Sequence, residues 1–176
     1  MPVLKSPKQP RVLVLNTSTL IVLEELGALH YVRKAVDNSL VKVVVPKGVK
    51  EELKRGGRNI DLPTADIHLK GEDIKEISEV IDVPRGLGMG EREVIATAYA
   101  LRRRYRVAVI TDDKKARSVC EKLDLEVHGT LWLLKFLKDC GVIAREEAVE
   151  LLNSIQDTSL YIDPELLSRV RKELSN

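Results

Sequence analysis

Residues 11–18 read RVLVLNTS, and this stretch decides the fold class. Its first five residues are a short run rich in leucine and valine, which is typical of a strand buried on both faces of a parallel sheet. Similar runs follow at 41–45 (VKVVV) and 107–110 (VAVI). Helical patterns stand between and after these runs. Strands that alternate with helices predict a parallel sheet with helices on both faces.

We therefore expect an α/β fold: a three-layer α/β/α domain with a mostly parallel central sheet of four or five strands. Apolar residues spaced three and four apart, from Leu20 to Val32, predict one helix after the first strand. Shorter strands are predicted at 65–70 and 125–128. Further helices are predicted after the strand at 107–110 and at 47–55, 73–81, 91–104, 130–138, 144–154 and 164–174.

The bulk properties bound the organisation and the binding modes. A length of 176 residues is typical of one domain, and a hydrophobic fraction of 44% suffices for one core. We expect a flexible N-terminal segment at 1–10, a domain at 11–155 and a C-terminal helical extension at 156–176. The net charge of +2 excludes an argument for nucleic-acid binding from total charge. Aromatic residues make up 3%, which argues against a base-stacking platform.

The sequence is typical of a cytoplasmic protein. Its two cysteines, Cys120 and Cys140, lack the spacing of metal ligands and fit a reducing compartment. Residues 1–10 contain no apolar run and do not resemble a signal peptide. No apolar stretch approaches the ~20 residues that a membrane-spanning helix needs, so we expect no membrane association.

Polar and acidic residues follow the predicted strands at the edge where a ligand is expected. In open parallel sheets, ligands lie beyond the carboxyl ends of the strands. Clustered carboxylates repel one another unless a cation such as Mg²⁺ neutralises them, and such a site can activate water against a phosphodiester. The candidate residues at this edge are Asn16, Glu51, Glu52, Glu91, Asp112 and Asp113.

Each acidic candidate also has an ordinary structural role open to it. A glutamate at a helix N-terminus, such as Glu91, is favoured by the helix dipole. Asp112 or Asp113 is suited to cap the helix that follows. Glu51 and Glu52 are compatible with solvated helix charges. Taken singly, these roles explain the residues as well as metal binding does, but convergence at one sheet edge favours the metal site.

Four segments around these residues resemble motifs of the PIN domain family, in the family's order. VLVLNTSTLI resembles the first strand and its Asp-x-Ser motif, and VVVPKGVKEEL the second strand with a helix that carries a glutamate before leucine. GLGMGEREVIATAYAL resembles the helix of the third acid, and VAVITDDKKAR the strand and turn of the fourth. The tail LEVHGTLWLLKFLKDCGVI resembles archaeal and bacterial PIN-like proteins with toxin-type, VapC-like relatives. The resemblance covers residues 11–155.

The resemblance implies a ribonuclease that uses Mg²⁺ or Mn²⁺, and it assigns residues to that role. Glu52 is preferred to Glu51 because it directly precedes a leucine, and Glu91 to Glu93 because it lies on the inward edge of its helix. The implied catalytic set is Asn16, Glu52, Glu91, Asp112 and Asp113. The implied metal ligands are Glu91, Asp112 and Asp113. Hydroxyls that orient ligands are expected at Ser18 and Thr111, and contacts to RNA at Lys114, Lys115 and Arg117.

Position 16 departs from the family, which has aspartate where this chain has Asn16. The cluster loses one negative charge, so metal affinity is expected to fall. Three explanations stay open: a weakened nuclease, a degenerate domain that only binds, or an inactivated form of a toxic enzyme.

The function that the sequence favours is a metal-dependent endoribonuclease, of the kind that serves as the toxin of a toxin–antitoxin pair. Its expected partners are RNA, an antitoxin-like protein and a second copy of the chain. The runner-up is a catalytically silent PIN-like module that binds RNA or a protein. A phosphatase is disfavoured, because no glycine loop that would cradle a phosphate follows a strand directly.

Overall fold

A parallel four-stranded sheet forms the centre of the computed structural model, which describes residues 11–64, 75 and 86–175. The strand order is β2-β1-β3-β4, and all three neighbouring pairs are parallel. The strands are β1 (Arg11–Leu15), β2 (Val41–Val44), β3 (Val107–Ile110) and β4 (Glu126–His128). The described strands confirm the predicted α/β fold with a parallel sheet.

Side chains on both faces of the central strands are buried. Residues 12–15 of β1 and all four residues of β3 are buried, although successive side chains of a strand point to opposite faces. Leu13 pairs in register with Val43 of β2 on one side and Ala108 of β3 on the other. Both faces are therefore covered by helices, which makes the domain a three-layer α/β/α sandwich.

Eight α-helices and one 3₁₀ turn (Ile155–Asp157) surround the sheet in the described residues. The helices predicted from residue 47 onward are confirmed to within a few residues wherever they are described. The predicted strand at 65–70, and the predicted helix at 73–81 apart from Lys75, lie outside the described residues. The helices are α1 (Thr17–Glu25), α2 (Leu29–Asp37), α3 (Lys47–Arg55), α4 (Met89–Leu101), α5 (Lys114–Lys122), α6 (Thr130–Asp139), α7 (Arg145–Ser154) and α8 (Pro164–Ser175).

The single helix predicted from Leu20 to Val32 is wrong, because the chain breaks there into α1 and α2. Gly27 adopts a φ of 66°, in the left-handed region. Its N–H donates to the carbonyl of Glu24, and the next N–H donates to the carbonyl of Leu23. These bonds end α1 in the way that a glycine C-cap does. The apolar spacing continues across the break, since both helices pack against the same core.

The hydrophobic core extends from the sheet to the last helix. Leu167, Val170 and Leu174 of α8 are buried in the same cluster as the strand residues. Within the described part of the chain, no helix is long and apolar enough to cross a membrane.

The sheet order decides which residues meet at the carboxyl edge. Since β1 lies between β2 and β3, the residues that follow these three strands are neighbours. Asn16 follows β1, Thr111 follows β3, and Pro46 leads from the end of β2 into α3. Parallel strands therefore place the start of α1, α3 and α5 around one edge.

The backbone conformation of Gly27 generates a test of the helix break. We expect Gly27→Ala to lower the free energy of unfolding by about 1 kcal/mol, because an L residue in the left-handed region is strained. Apart from its two chain neighbours, no described residue has an atom within 4 Å of the added Cβ, so the change isolates the backbone effect. Chemical denaturation measures it.

Gly56→Ala is the matched control. Gly56 follows α3 with a φ of −79°, and an added Cβ would make only ordinary contacts, the nearest at 3.5 Å. We expect no loss of stability, because alanine adopts this conformation without strain. Equal losses in the two variants would contradict the backbone explanation of the break.

Candidate functional site

Asn16 lies at the carboxyl end of β1 and is 1% exposed. Its side-chain Oδ1 accepts a hydrogen bond from the N–H of Thr19 at 2.9 Å, which makes it the N-cap of α1. Because a backbone N–H can only donate, this bond fixes which end of the side-chain amide carries the oxygen. The amide nitrogen therefore faces away from α1 and toward the sheet edge.

The amide nitrogen of Asn16 joins three elements of the fold. Nδ2 donates to Glu91 Oε1 on α4 and to Thr111 Oγ1 after β3, both at 2.8 Å. The sequence alone predicted only the loss of a negative charge at this position. In the structure, Asn16 offers the acidic edge two N–H donors, and its oxygen is engaged in the helix cap.

Glu91 is the most perturbed carboxylate at this edge. Its Oε2 is buried and has no hydrogen-bond partner among the described residues. Desolvation raises the pKa of Glu91 above its ordinary value, and the charges of Asp113 and Glu52 raise it further, whereas the hydrogen bond from Asn16 lowers it. A buried carboxylate oxygen without a donor is costly unless it takes up a proton or a cation.

Asp113 lies beside Glu91, close enough for its charge to raise the pKa of that residue. It is the N-cap of α5, since its Oδ1 accepts a hydrogen bond from the N–H of Ala116 at 2.8 Å. Its own N–H donates to Thr111 Oγ1 at 3.1 Å. The structure gives Oδ2 of Asp113 no hydrogen-bond donor among the described residues. One oxygen of Asp113 thus serves the helix, and the other stays available.

Glu52 borders the same cluster, and both of its oxygens are engaged. Thr17 Oγ1 donates to Oε2 through a short hydrogen bond, and the N–H of Gly90 donates to Oε1 at 3.2 Å. A Cβ added to Gly90 would lie 2.5 Å from Glu52 Oε1, so glycine permits this close approach. Glu52 therefore connects α3 to the starts of α1 and α4.

Asp112 faces a different partner from its neighbour. Its Oδ1 accepts a hydrogen bond from the N–H of Thr130 at 3.0 Å, and its Oδ2 one from Thr130 Oγ1 at 2.5 Å. It is not among the charges that shift the pKa of Glu91. Asp112 thus fastens the end of β3 to the start of α6, while Asp113 serves the cluster around Glu91.

The hydroxyl groups near the cluster are those of Thr17 and Thr111. Thr111 is buried and accepts hydrogen bonds from both the Asn16 amide and the Asp113 N–H. Ser18 is exposed, and its hydroxyl makes no hydrogen bond with the described residues. Thr17, which was not among the predicted site residues, donates to Glu52 instead. The only sequence feature that could have indicated this contact is the position of Thr17 in the Asn-Thr-Ser turn.

Glu51 and Glu93, the glutamates that were not preferred as site residues, lie outside the cluster. Glu51 is exposed and its side chain lies 3.9 Å from Lys47. Glu93 accepts a hydrogen bond from the N–H of Gly48 at 2.7 Å, which caps the start of α3. In each glutamate pair, the preferred member is the one that faces the acidic edge.

The three basic candidates follow the cluster on α5. Lys114 and Lys115 are exposed, and Arg117 is half-buried. A Cβ added to Gly86 would lie 3.4 Å from Lys115 Nζ, so this lysine extends toward the segment before α4. A Cβ added to Gly129 would lie 3.6 Å from Arg117 Nη1, which places the guanidinium beside the turn before α6. These positions flank the acidic edge on the α5 side.

Comparison with known families agrees with this arrangement. Residues 12–176 match a family model described as the PIN domain. The chain belongs to the PIN domain family. PIN domains are generally nucleases and generally use divalent metals. A search of curated proteins found no match to the chain.

The fit of a divalent metal to this PIN domain depends on two carboxylates. Among the described residues, no group of three or more histidine, cysteine, aspartate or glutamate side chains is arranged to hold a metal ion. Mg²⁺, however, is commonly held by one or two carboxylates and keeps several waters. The unpartnered Oε2 of Glu91, next to Asp113, provides such a pair. The residues therefore fit a metal, with less negative charge than a fully acidic PIN site.

The raised pKa of Glu91 generates a pH-dependent test of stability. A carboxyl whose folded pKa is raised stabilises the protein fully below its unfolded pKa, and this contribution is lost as the pH rises through the folded pKa. Glu91→Gln removes the ionisable group, so the variant does not lose this stability as the pH rises. In EDTA, we expect the variant to gain stability over the unchanged protein as the pH rises from about 4.5 to 7.5, in denaturant titrations at each pH.

Glu93→Gln on the same helix is the control. Its carboxylate caps α3, so we expect this substitution to reduce stability by about 1 kcal/mol at pH 7.5. If Glu91→Gln instead lost much stability at pH 7.5, Glu91 would be a structural cap whose ionisation does not destabilise the fold.

Proposed function

We propose that this PIN domain is a metal-dependent endoribonuclease that Asn16 keeps weakly active. The observation that carries the proposal is the buried Oε2 of Glu91, which has no donor among the described residues. The charges of Asp113 and Glu52 raise the pKa of this carboxyl group. This combination occurs at the carboxyl edge of a parallel sheet, where such folds bind ligands. It supports a site that is completed by a cation.

Asn16 lowers the affinity of the proposed site in two ways. It brings no negative charge, and its N–H donors already satisfy one oxygen of Glu91. An extra carboxylate at about 4 Å from a divalent ion would contribute about 2 kcal/mol even at the dielectric constant of water. A PIN domain with Asn16 therefore needs more metal than one with aspartate at that position.

The residues of the chain suggest which groups would hold the metal, which would hold the site in shape and which would contact RNA. Glu91 and Asp113 would hold Mg²⁺ or Mn²⁺, and Glu52 borders them. When bound, the metal supplies Lewis-acid stabilisation of the phosphodiester and a water of lowered pKa. Thr111 holds Asn16 and the backbone of Asp113 in place. Lys114, Lys115 and Arg117 supply positive charge for the RNA backbone on the α5 side.

The cellular role that we propose follows from the resemblance of residues 125–143 to toxin-type relatives. On that basis the protein acts in the cytoplasm as the toxin of a toxin–antitoxin pair, bound to an antitoxin-like protein and to a second copy of itself. An archaeal-type origin of this branch belongs to the same proposal.

A second candidate function is a catalytically silent module that binds RNA or a protein. Asn16 Nδ2 favours it, because it donates to Glu91 and Thr111 at 2.8 Å, so that groups of the protein itself link the edge. Asp112 is also engaged with Thr130 through both oxygens. In this alternative, the remaining carboxylates serve only to hold the helix starts.

Restoring the carboxylate at position 16 tests the nuclease proposal. Asn16→Asp can keep the bond to the Thr19 N–H while placing its second oxygen next to Glu91. We expect Mn²⁺ to bind at least tenfold more tightly by calorimetry, because the site gains one negative charge. Cleavage of single-stranded RNA with Mn²⁺ is expected to increase in parallel. In EDTA, the variant is expected to be less stable than the unchanged chain.

Two aspartate variants in the Asn16→Asp background serve as controls. Asp113→Asn is expected to abolish the gain in metal binding, because Asp113 lies beside Glu91. Asp112→Asn is expected to lower stability through its contact with Thr130 and to retain metal binding. If Asn16→Asp neither binds Mn²⁺ nor cuts RNA at millimolar metal, the silent-module function replaces the nuclease.

A further inference from the structure

A cavity of about 210 Å³ lies at the end of β2, on the other side of α3 from the acidic cluster. Leu20, Val45 and Leu53 contribute apolar surface to it, and Ile60 and Leu62 line it from the loop that follows α3. It is smaller than the roughly 300–1,000 Å³ of pockets for drug-sized ligands. Polar residues complete the lining, and the size of the cavity suits a flat group about as large as one nucleobase.

The loop wall of the cavity is held in place by the neighbouring helices. The N–H of Arg58 donates to the carbonyl of Leu53 at 2.9 Å, and its guanidinium pairs with Glu24 on α1. Arg33 of α2 donates to the carbonyl of Asp61 at 2.5 Å. These contacts preform the cavity, so that a ligand would not have to order the loop.

Two lysines of α3 line the same cavity. Lys50 and Lys54 are exposed, stand one helical turn apart, and form no ion pair with the described residues. Asn59 adds an exposed side-chain amide, which has both donors and an acceptor. Positive charge beside an apolar recess is complementary to a phosphate attached to a base.

The helix α3 separates this cavity from the acidic cluster. Glu52 lies two residues from each lysine, which is about 200° around the helix, and it faces Thr17 and Gly90. A helix with its side chains is about 10–12 Å across. The cavity and the cluster are therefore neighbours at one sheet edge, within reach of a single nucleic-acid strand.

We propose that this cavity binds one nucleotide of single-stranded RNA beside the site of cleavage, which is an inference that rests on the proposed nuclease function. Its base occupies the recess between Leu53 and Ile60. The adjoining phosphates contact Lys50 and Lys54, and Asn59 contacts the base edge. The cavity thus selects the position and the identity of a base near the scissile bond.

Binding of a labelled six-nucleotide RNA to the full chain in EDTA tests the proposal by fluorescence anisotropy. Lys50→Gln with Lys54→Gln is expected to raise the Kd at least tenfold. The slope of log K against log salt is expected to fall by about 1.4, since each single-strand phosphate contact contributes about 0.7. A matched control, Lys122→Gln with Lys172→Gln, removes two exposed lysines elsewhere and is expected to leave the Kd within twofold.

A competition experiment tests the contribution of the base. Inorganic polyphosphate of equal charge is expected to displace the labelled RNA at least tenfold less well than unlabelled RNA does. Equal displacement would mean that the cavity contacts phosphate only, and it would overturn the nucleotide assignment. Equal losses in the two lysine pairs, or no RNA binding in EDTA, would overturn it as well.

The Asn16→Asp background separates this proposal from the nuclease proposal. If that variant cuts RNA and the substitutions at Lys50 and Lys54 leave its KM unchanged, the cavity assignment fails and the nuclease stands. If it cuts no RNA but the lysine pair still controls RNA binding, the cavity assignment stands and the nuclease fails. A rise in KM with unchanged Mn²⁺ affinity supports both.

Discussion

The hydrogen bonds of Asn16 are the interaction on which the carboxyl edge depends. This one buried side chain starts α1 through its oxygen and connects Glu91 to Thr111 through its nitrogen. A hydrogen bond to a charged group contributes about 1.5–3 kcal/mol, and it is strongest where water is excluded. The N–H donors of Asn16 partly stabilise the negative charge of Glu91, as a bound cation would. The protein itself therefore offsets part of the negative charge at this edge. In the proposed site, Glu91 Oε2 is the oxygen that would take up a cation.

The acidic residues around Asn16 use some of their carboxylate oxygens to hold helices in place and leave others available in the cleft. Asp113 uses one oxygen to cap α5, and Glu52 uses both to connect three helices. A carboxylate that caps a helix is held rigidly, which favours a metal site because the ligands need no reordering. The same bonds reduce the number of free oxygens. The structural and metal-binding roles are therefore compatible for Glu91 and Asp113, whereas the contacts of Asp112 make it an anchor of α6.

Patterns local in sequence predicted most of the fold, whereas contacts distant in sequence decided the site. The buried strands at 11–15 and 107–110 could be predicted because they are unbroken apolar runs. The break at Gly27 could not, since apolar spacing continues across it. The resemblance to the family motif, a glutamate directly before a leucine, distinguished Glu52 from Glu51. No local pattern could separate Asp112 from Asp113, because the first depends on Thr130, 18 residues further along the chain. The cavity was hidden for the same reason, since a loop and two helices form it.

The loss of one acid at position 16 affects metal and RNA in opposite directions. A phosphate backbone that approaches an acidic cluster is repelled unless cations lie between them. With Asn16, the cluster carries one negative charge less, so metal binding weakens while the repulsion of RNA in the absence of metal also decreases. Lys50 and Lys54, on the far side of α3, would attract the same strand. Under the proposed function, a PIN domain with this charge pattern would retain RNA binding at metal concentrations where cleavage is slow. The nuclease and the binding module would then be two states of one surface.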